Sequence, residues 1–257
     1  MLVVISPAKK LNWDPVDLRN VTAPIFEHKA YELSQIAKDL NQQELSDLMG
    51  ISANLAKLNH DRFNSFTNNA SDRNTRPAAI AFAGDTYSGL EAKTLDLDSS
   101  RYAQDHLRIL SGLYGLLRPF DLIQPYRLEM GSKLKTKKGN SLYEYWGDTI
   151  SNELNNQAKK VNSTILLNCA SNEYFSAVDR KKLKLKVINP VFLENKDGKA
   201  KIISFFAKKA RGAMARFVVE QRVNDVTGIK DFDSGGYKFQ PKESTNDKMV
   251  FLRNHTT

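Results

Sequence analysis

The protein has 257 residues, of which 38 are Lys or Arg and 29 are Asp or Glu, so its formal net charge is +9. Hydrophobic residues make up 41% and charged residues 26%, which fits a folded globular protein and excludes a disordered, collagen-like or coiled-coil chain. The positive balance predicts an acidic partner, while the lone Cys169 excludes a disulfide within the chain and predicts a cytoplasmic location.

The chain begins with a short apolar run, Leu2–Ile5, which predicts a buried strand. No basic segment precedes this run, and it is too short for a signal peptide. Elsewhere no apolar run approaches the roughly 18 residues that span a bilayer. We therefore expect no membrane insertion.

Three helices are predicted next. Apolar side chains recur at helical spacing over residues 26 to 40 and 52 to 66, and a shorter helix covers residues 43 to 49. Only a Gly-Ile dipeptide separates the second helix from the third. Residues 64 to 76 are rich in Asn, Ser, Thr and Asp, which predicts a surface loop and makes this segment the best candidate for a linker.

Three short apolar runs, at residues 2 to 5, 79 to 83 and 164 to 167, are each followed by small and polar residues. If they are neighbouring strands with the same direction, their polar ends meet at the edge where open α/β sheets bind ligands. The side chains expected at this edge are Ser6, Lys9, Asp85, Asn168, Ser171 and Glu173. The carboxylates of Asp85 and Glu173 form a candidate acid/base set with Glu129, although helix capping and ion pairing explain them more simply.

The rest of the chain predicts two helices, a hairpin, a basic helix and a final strand. In order these are a helix at residues 101 to 117 stopped by Pro119, a helix at 141 to 159 capped by Ser141, strands at 185 to 193 and 201 to 206 joined by an Asp-Gly turn at 194 to 198, a helix at 207 to 224 and a strand at 249 to 252. Together the elements predict an α+β (mixed α/β) fold with a mixed central sheet flanked by helices. We expect a single domain over residues 1 to 257.

Residues 43 to 66, in the N-terminal third, resemble a helix-hairpin-helix. In that motif a tight turn lets backbone N–H groups at the start of the second helix approach a DNA phosphate. Gly50 supplies backbone freedom, Ser52 a helix cap, and the helix dipole favours an anion there. The second glycine usual in the motif is Ser52 here, and an ordinary helical hairpin fits the pattern equally well. The candidate DNA contacts are Gly50, Ile51, Ser52, Asn54, Lys57 and Arg62.

Arg residues within segments rich in Pro, Gly and apolar residues indicate a second anion site, because a guanidinium group binds phosphate through two hydrogen bonds. On the predicted basic helix, a Lys and an Arg three residues apart share one face. We expect a basic cleft lined by Lys9, Arg118, Arg127, Lys208 and Arg211. A merely solvated helix face is the alternative. The Lys-rich runs at residues 133 to 138 and 180 to 186 fit solubility equally well.

Signatures of common catalytic and cofactor sites are absent from the sequence, including the Walker loop, Gly-x-Gly-x-x-Gly, Gly-x-Ser-x-Gly and His-Glu-x-x-His. The histidines His28, His60, His106 and His255 lie far apart, so we predict no metal site and no cofactor. Cys169 follows an apolar run, where a buried, unreactive thiol is favoured over a nucleophile.

Strings of residues over essentially the whole chain resemble the YaaA family of bacterial peroxide stress proteins. They include Ile5-Ser6-Pro7-Ala8-Lys9, Gly84-Asp85 with Tyr87, Leu110-Ser111-Gly112-Leu113-Tyr114-Gly115, Leu117-Arg118-Pro119, Gln124-Pro125-Tyr126-Arg127-Leu128-Glu129-Met130-Gly131, Asn168, Ala170-Ser171 with Glu173-Tyr174-Phe175, and Ala207-Lys208-Lys209-Ala210-Arg211-Gly212. The resemblance implies an unusual mixed α/β fold and binding of double-stranded DNA through a helix-hairpin-helix and a basic cleft. It also implies that the protein limits intracellular iron and oxidative DNA damage under hydrogen peroxide.

Two functions of different classes remain. The first is a cytoplasmic DNA-binding protein of the peroxide stress response, with double-stranded DNA as its partner and no obligate protein partner. The alternative is an enzyme acting on a nucleotide or a damaged nucleobase in the basic cleft, since the predicted strand ends offer more functional groups than phosphate binding needs. Direct iron binding fits this composition poorly, because clustered His and Cys are absent.

Overall fold

The computed structural model describes residues 1–16, 20–68, 71, 73–196 and 198–254. Within them the helices are α1 (Glu27–Lys38), α2 (Gln42–Met49), α3 (Ala53–Ser65), α4 (Ala78–Ala81), α5 (Asp85–Leu90), α6 (Leu97–His106), α7 (Leu142–Trp146), α8 (Thr149–Lys160), α9 (Asn172–Phe175), α10 (Ser204–Glu220) and α11 (Val226–Ile229). The strands are β1 (Leu2–Ile5), β2 (Lys10–Leu11), β3 (Arg76–Pro77), β4 (Phe82–Ala83), β5 (Leu107–Ser111), β6 (Gly115–Leu117), β7 (Leu122–Ile123), β8 (Ile165–Cys169), β9 (Lys186–Lys196), β10 (Lys199–Lys201), β11 (Lys238–Phe239) and β12 (Lys248–Asn254).

A central sheet with strand order β11-β12-β9-β8-β1-β5-β6 organises the fold, and β10 pairs with β9. Strand β1 is parallel to β5 and β8, and β9 is parallel to β8 and β12. Strands β6, β10 and β11 add antiparallel edges. All four residues of β1 are buried, as expected for a parallel strand covered on both faces. The predicted mixed fold with a central sheet and flanking helices is confirmed.

The prediction of one helix over residues 101 to 117 is wrong. Helix α6 ends at His106, and the next five residues form β5, which pairs with β1. Every residue of β5 is buried. A strand covered on both faces reads as a continuous apolar run, and here its leucines also fall at helical spacing, so periodicity could not separate the two structures.

The predicted strand at residues 79 to 83 is not part of the central sheet. Its first part is the short helix α4, and only Phe82 and Ala83 are extended, as β4 paired with β2. Strand β5 takes the place beside β1 instead. The β2–β4 pairing still brings this segment to the end of β1, because a Cβ at Gly84 would lie 3.4 Å from that of Ala8.

Two further predictions are adjusted. The helix expected over residues 141 to 159 is divided into α7 and α8 at Gly147, whose φ is +49°; Ser141 caps α7 by accepting a hydrogen bond from the Glu144 N–H (3.2 Å). The hairpin of β9 and β10 is present, but β10 is short and Phe205 already belongs to α10. Asp197, in the predicted turn, lies outside the described residues.

Helix α10 crosses α5 at unusually close range. A Cβ at Gly212 would lie 1.7 Å from the Thr86 carbonyl oxygen, and one at Gly89 would lie 2.0 Å from the Lys209 carbonyl oxygen. The two glycines therefore let the helix backbones touch, which fixes the basic residues of α10 relative to the sheet. Among the described helices, none is long and apolar enough to cross a membrane.

Candidate functional site

The ends of β1 and β8 meet through two serines. The Ser171 N–H donates to Ser6 Oγ (2.8 Å), and Ser6 Oγ donates to Ser171 Oγ (3.3 Å). The Tyr87 hydroxyl donates to the Ser6 carbonyl oxygen (3.1 Å). Because β1 and β8 are adjacent and parallel, their polar ends come together as the sequence predicts.

Beside these serines, a carboxylate is held by two cations. Glu129 is 9% exposed; its Oε1 accepts a hydrogen bond from Arg127 Nε (3.1 Å) and forms ion pairs with Arg127 Nη2 (2.9 Å) and Lys9 Nζ (3.2 Å). Its Oε2 is also buried and has no hydrogen-bond partner among the described residues. Nearby, Glu173 Oε1 accepts from the Gly131 N–H (3.1 Å). We call Ser6, Lys9, Arg127, Glu129, Ser171 and Glu173 the strand-end cluster.

Three tyrosines stand behind the cluster. Burial raises the pKa of Tyr87, Tyr126 and Tyr174 above the usual value, and they lie close enough to affect one another. The phenols are therefore neutral at physiological pH. These tyrosines are not among the residues predicted for the site. Each lies within two residues of a predicted one, but that position in the sequence does not distinguish a residue that lines a site from a residue of the core.

The predicted helix-hairpin-helix segment is a pair of helices, α2 and α3, joined by a tight turn. Gly50 has φ of 60° and ψ of 47°, the left-handed conformation, and its N–H donates to the Ser46 carbonyl oxygen. Ser46 Oγ donates to the Ile51 carbonyl oxygen (2.6 Å), which closes the turn around buried Ile51. Ser52 precedes α3, and its hydroxyl makes no capping hydrogen bond.

The start of α3 is consequently open to solvent. Ser52, Asn54 and Lys57 are exposed. The ammonium group of Lys57 forms an ion pair with Asp61 Oδ2 (2.9 Å). The first N–H groups of a helix carry partial positive charge and have no partner within the helix. Without a side-chain cap, those of α3 are available to an anion.

Arg62, on α3, lies within electrostatic range of the strand-end cluster. Burial lowers its pKa, and the nearby positive charge of Arg127 lowers it further. Arg62 Nη1 donates to Asn59 Oδ1 (3.2 Å), and the described residues offer it no ion pair. Two guanidinium groups thus lie near each other with Glu129 as the carboxylate that contacts one of them.

The other predicted residues have distinct surroundings. Arg211 lies near Cys169: burial raises the thiol pKa to about 12, and the Arg211 charge opposes this. Lys208 is exposed one helical turn from Arg211. Asp85 is the half-buried first residue of α5. Asn168 is structural, since its Oδ1 accepts from the Ala170 N–H (3.1 Å) and its Nδ2 donates to Asn189 Oδ1 (3.0 Å).

Arg118 is not brought together with the other predicted cleft residues. It follows β6, which runs antiparallel to β5, so it lies at the opposite edge of the sheet. Its Nε donates to Asp121 Oδ1 (2.9 Å) and its Nη2 to the Ala23 carbonyl oxygen (2.7 Å). Buried Asp121 also accepts from Thr22 Oγ1 (2.6 Å). Arg118 therefore ties the segment before α1 to the sheet.

The described residues contain no group of three or more His, Cys, Asp and Glu side chains that could hold a metal ion. His28 and His60 belong to different helices, and His106 Nδ1 faces the Met1 carbonyl oxygen (2.9 Å). His255 lies outside the described residues. The site is thus one of cations, carboxylates and hydroxyls.

Comparison with known proteins shows the family to which this chain is similar. A family model described as peroxide stress protein YaaA matches residues 1–243. The chain is 60% identical over 255 residues to a UPF0246 protein of Roseobacter denitrificans, with 98% of each chain covered. It is 57% identical over 253 residues to a UPF0246 protein of Ruegeria pomeroyi, again with 98% of each covered. A UPF0246 protein of Jannaschia sp. is 60% identical over 253 residues, covering 98% of this chain and 97% of the relative.

Proposed function

Because the chain belongs to the peroxide stress protein YaaA family, and so has its role in the oxidative stress response, we propose that it acts there by binding duplex DNA. The turn from Gly50 to Ser52 and the start of α3 form a helix-hairpin-helix that contacts a phosphate. Lys9, Arg127, Lys208 and Arg211 line the basic cleft. Binding protects DNA from oxidation, and limiting intracellular iron belongs to the same proposal.

The closeness of Arg62 to Arg127 supports this proposal most directly. The Arg127 charge lowers the pKa of Arg62, so a cation of the helical hairpin and a cation of the strand-end cluster are within electrostatic range of each other. Two neighbouring guanidinium groups repel each other, and a bound polyanion relieves that repulsion. Arg is also suited to bidentate phosphate contact. The binding should be largely independent of base sequence, because phosphates carry no sequence information.

Charge-matched double variants test the cleft. We expect Lys208→Gln with Arg211→Gln to weaken binding to a duplex of about 20 base pairs roughly tenfold at low salt, since each lost phosphate contact reduces affinity. Lys181→Gln with Lys182→Gln removes the same charge from an exposed Lys-rich run and serves as the control. Fluorescence anisotropy measures both. Equal loss in the two double variants would mean that only net charge matters and that the cleft assignment is wrong.

A second candidate, an enzyme acting on a nucleotide or damaged nucleobase, rests on the unpartnered Oε2 of Glu129. A general base needs an oxygen that can reach the proton it takes, and Glu129 Oε2 has no hydrogen-bond partner among the described residues. Incubation of the protein in excess over duplexes that carry a single oxidised base, followed by chromatography, tests for released base or cleaved strand. Unaltered DNA after prolonged incubation with excess protein would exclude that reaction.

A further inference from the structure

The two oxygens of Glu129 have very different surroundings. Oε1 accepts a hydrogen bond from Arg127 Nε and is in ion-pair contact with Arg127 Nη2 and Lys9 Nζ, whereas Oε2 is buried without a partner among the described residues. A buried carboxylate oxygen normally accepts at least one hydrogen bond, because leaving it unsatisfied carries the free-energy cost of removing it from water without a replacement. A ligand that brings an N–H donor to Oε2 would remove this cost.

The surroundings of Glu129 indicate what else that ligand carries. Glu129 lines a small pocket together with Lys9, Tyr126, Arg127 and Tyr174. Lys9 and Arg127 are phosphate-binding side chains, and the tyrosines offer aromatic surface on which a base can pack. Cations, an unsatisfied acceptor and aromatic rings within one pocket match the phosphate, the N–H edge and the ring of a nucleotide.

The pocket is small in this structure, with a volume of about 10 Å³, enough for about one water molecule. Lys9 is the lining residue that can move, because its side chain is 66% exposed and its Nζ is held only by the ion pair with Glu129 Oε1 among the described residues. A phosphate competes with Glu129 for this ammonium group. Its binding would draw Lys9 away from the carboxylate and open the pocket, so that phosphate binding and base entry are coupled.

We propose that the strand-end cluster binds a single nucleotide unit, with its phosphate on Lys9 and Arg127 and a base N–H donated to Glu129 Oε2. The inference rests on the proposed function, because it uses the same basic cleft. The nucleotide is either a free nucleoside monophosphate or an unpaired nucleotide of a DNA strand. Both present the same phosphate and the same hydrogen-bonding base edge, which pairing hides in a duplex.

Two comparisons with and without a base test the proposal on the full-length protein. In the first, isothermal titration measures the binding of the four 2′-deoxynucleoside 5′-monophosphates and of 2-deoxyribose 5-phosphate, which lacks a base. In the second, anisotropy compares a duplex containing one unpaired nucleotide with the same duplex containing an abasic analogue at that position. We expect the base to improve affinity about tenfold or more in one arm, which identifies the source of the nucleotide.

Substitution of the acceptor tests the contact itself. Glu129→Gln should reduce the advantage given by the base to about threefold or less, because a charged acceptor is replaced by a neutral amide. Glu243→Gln, at an exposed position, is the matched control and should keep the full advantage. An advantage that survives Glu129→Gln in the folded protein would overturn the assignment to Glu129. Should that variant fail to fold, the comparison in the unmodified protein still decides.

The outcomes separate this inference from the proposed function. If the protein binds plain duplex but gains nothing from a base in either arm, the nucleotide site is wrong while DNA binding stands. If it binds a monophosphate through its base but no duplex, the DNA-binding proposal fails and the nucleotide site stands.

Discussion

Gly50 combines a required conformation with open space. Its φ is +60°, a region that residues with side chains rarely adopt, yet a Cβ there would meet no atom of the described residues within 4 Å. The conformation alone therefore explains the glycine within the fold. Two residues further on, Ser52 is exposed and its hydroxyl makes no capping hydrogen bond.

Gly50→Asn should separate folding from DNA contact. Asn tolerates the left-handed conformation, so we expect the free energy of unfolding to fall by no more than about 1 kcal/mol. The added side chain occupies the approach of the phosphate, so duplex affinity should fall about tenfold. Urea denaturation and anisotropy measure the two effects. Gly198→Asn is the control, because Gly198 has φ of +76° and equally open space. Unchanged affinity in Gly50→Asn would rule out the hairpin contact.

Helices and strands could be predicted from the sequence where the spacing of apolar residues fits only one kind of element. The helices around Gly50 and the β9–β10 hairpin follow from amphipathic spacing and turn residues, which act locally. Strand β5 was missed because a fully buried strand carries no alternation. The site shows the same division: Ser6 and Ser171 could be paired from the parallel-strand pattern, whereas the misplacement of Arg118 came from the unpredicted direction of β6.

The crossing of α5 and α10 depends on glycine. Gly212→Ala would place a methyl carbon 1.7 Å from the Thr86 carbonyl oxygen, so the two helices would have to separate. We expect a loss of about 2–3 kcal/mol in the free energy of unfolding. The denaturant midpoint should fall at constant slope. Gly131→Ala is the control, since its nearest neighbour is the end of the Glu173 side chain at 3.3 Å. A Gly212→Ala protein as stable as the control would contradict this packing.

At the scale of the whole molecule, the cations that produce the net charge of +9 have different surroundings. Some cations are engaged internally, as Arg118 is by Asp121 and Arg253 is by Glu194. Others lie near another cation, as Arg62 lies near Arg127. The sequence gives the total, but the fold decides which charges are available to an anion.

Stability should decline at alkaline pH. Burial raises the pKa of Tyr87, Tyr114, Tyr126 and Tyr174 above the usual value near 10, and that of Cys169 from 9.0 to about 12. The unfolded chain therefore loses these protons first, and the free energy of unfolding falls as pH rises above about 9 to 10. Burial lowers the pKa of Arg108 to about 10 and also lowers that of Arg62 and Lys29, which acts in the opposite direction, but more groups have a raised pKa, because that of Tyr102, Tyr143, Tyr145 and Tyr237 is raised as well.

Denaturation in urea at a series of pH values measures this decline. We expect a plateau below about pH 9, a fall above it, and tyrosinate absorbance that increases together with unfolding. Ionisation of most of the nine tyrosines in a protein that remains folded near pH 10 would show that Tyr87, Tyr114, Tyr126 and Tyr174 are not buried as described.

Salt dependence of duplex binding tests the central claim most directly. If α3 and the cleft neutralise several phosphates, the logarithm of the association constant should fall linearly with the logarithm of salt concentration, with a slope of roughly −4 to −6. Two duplexes of unrelated sequence should give the same slope and affinities within about threefold. Absence of binding at about 50 mM salt, or a slope shallower than about −1, would contradict DNA binding through this surface.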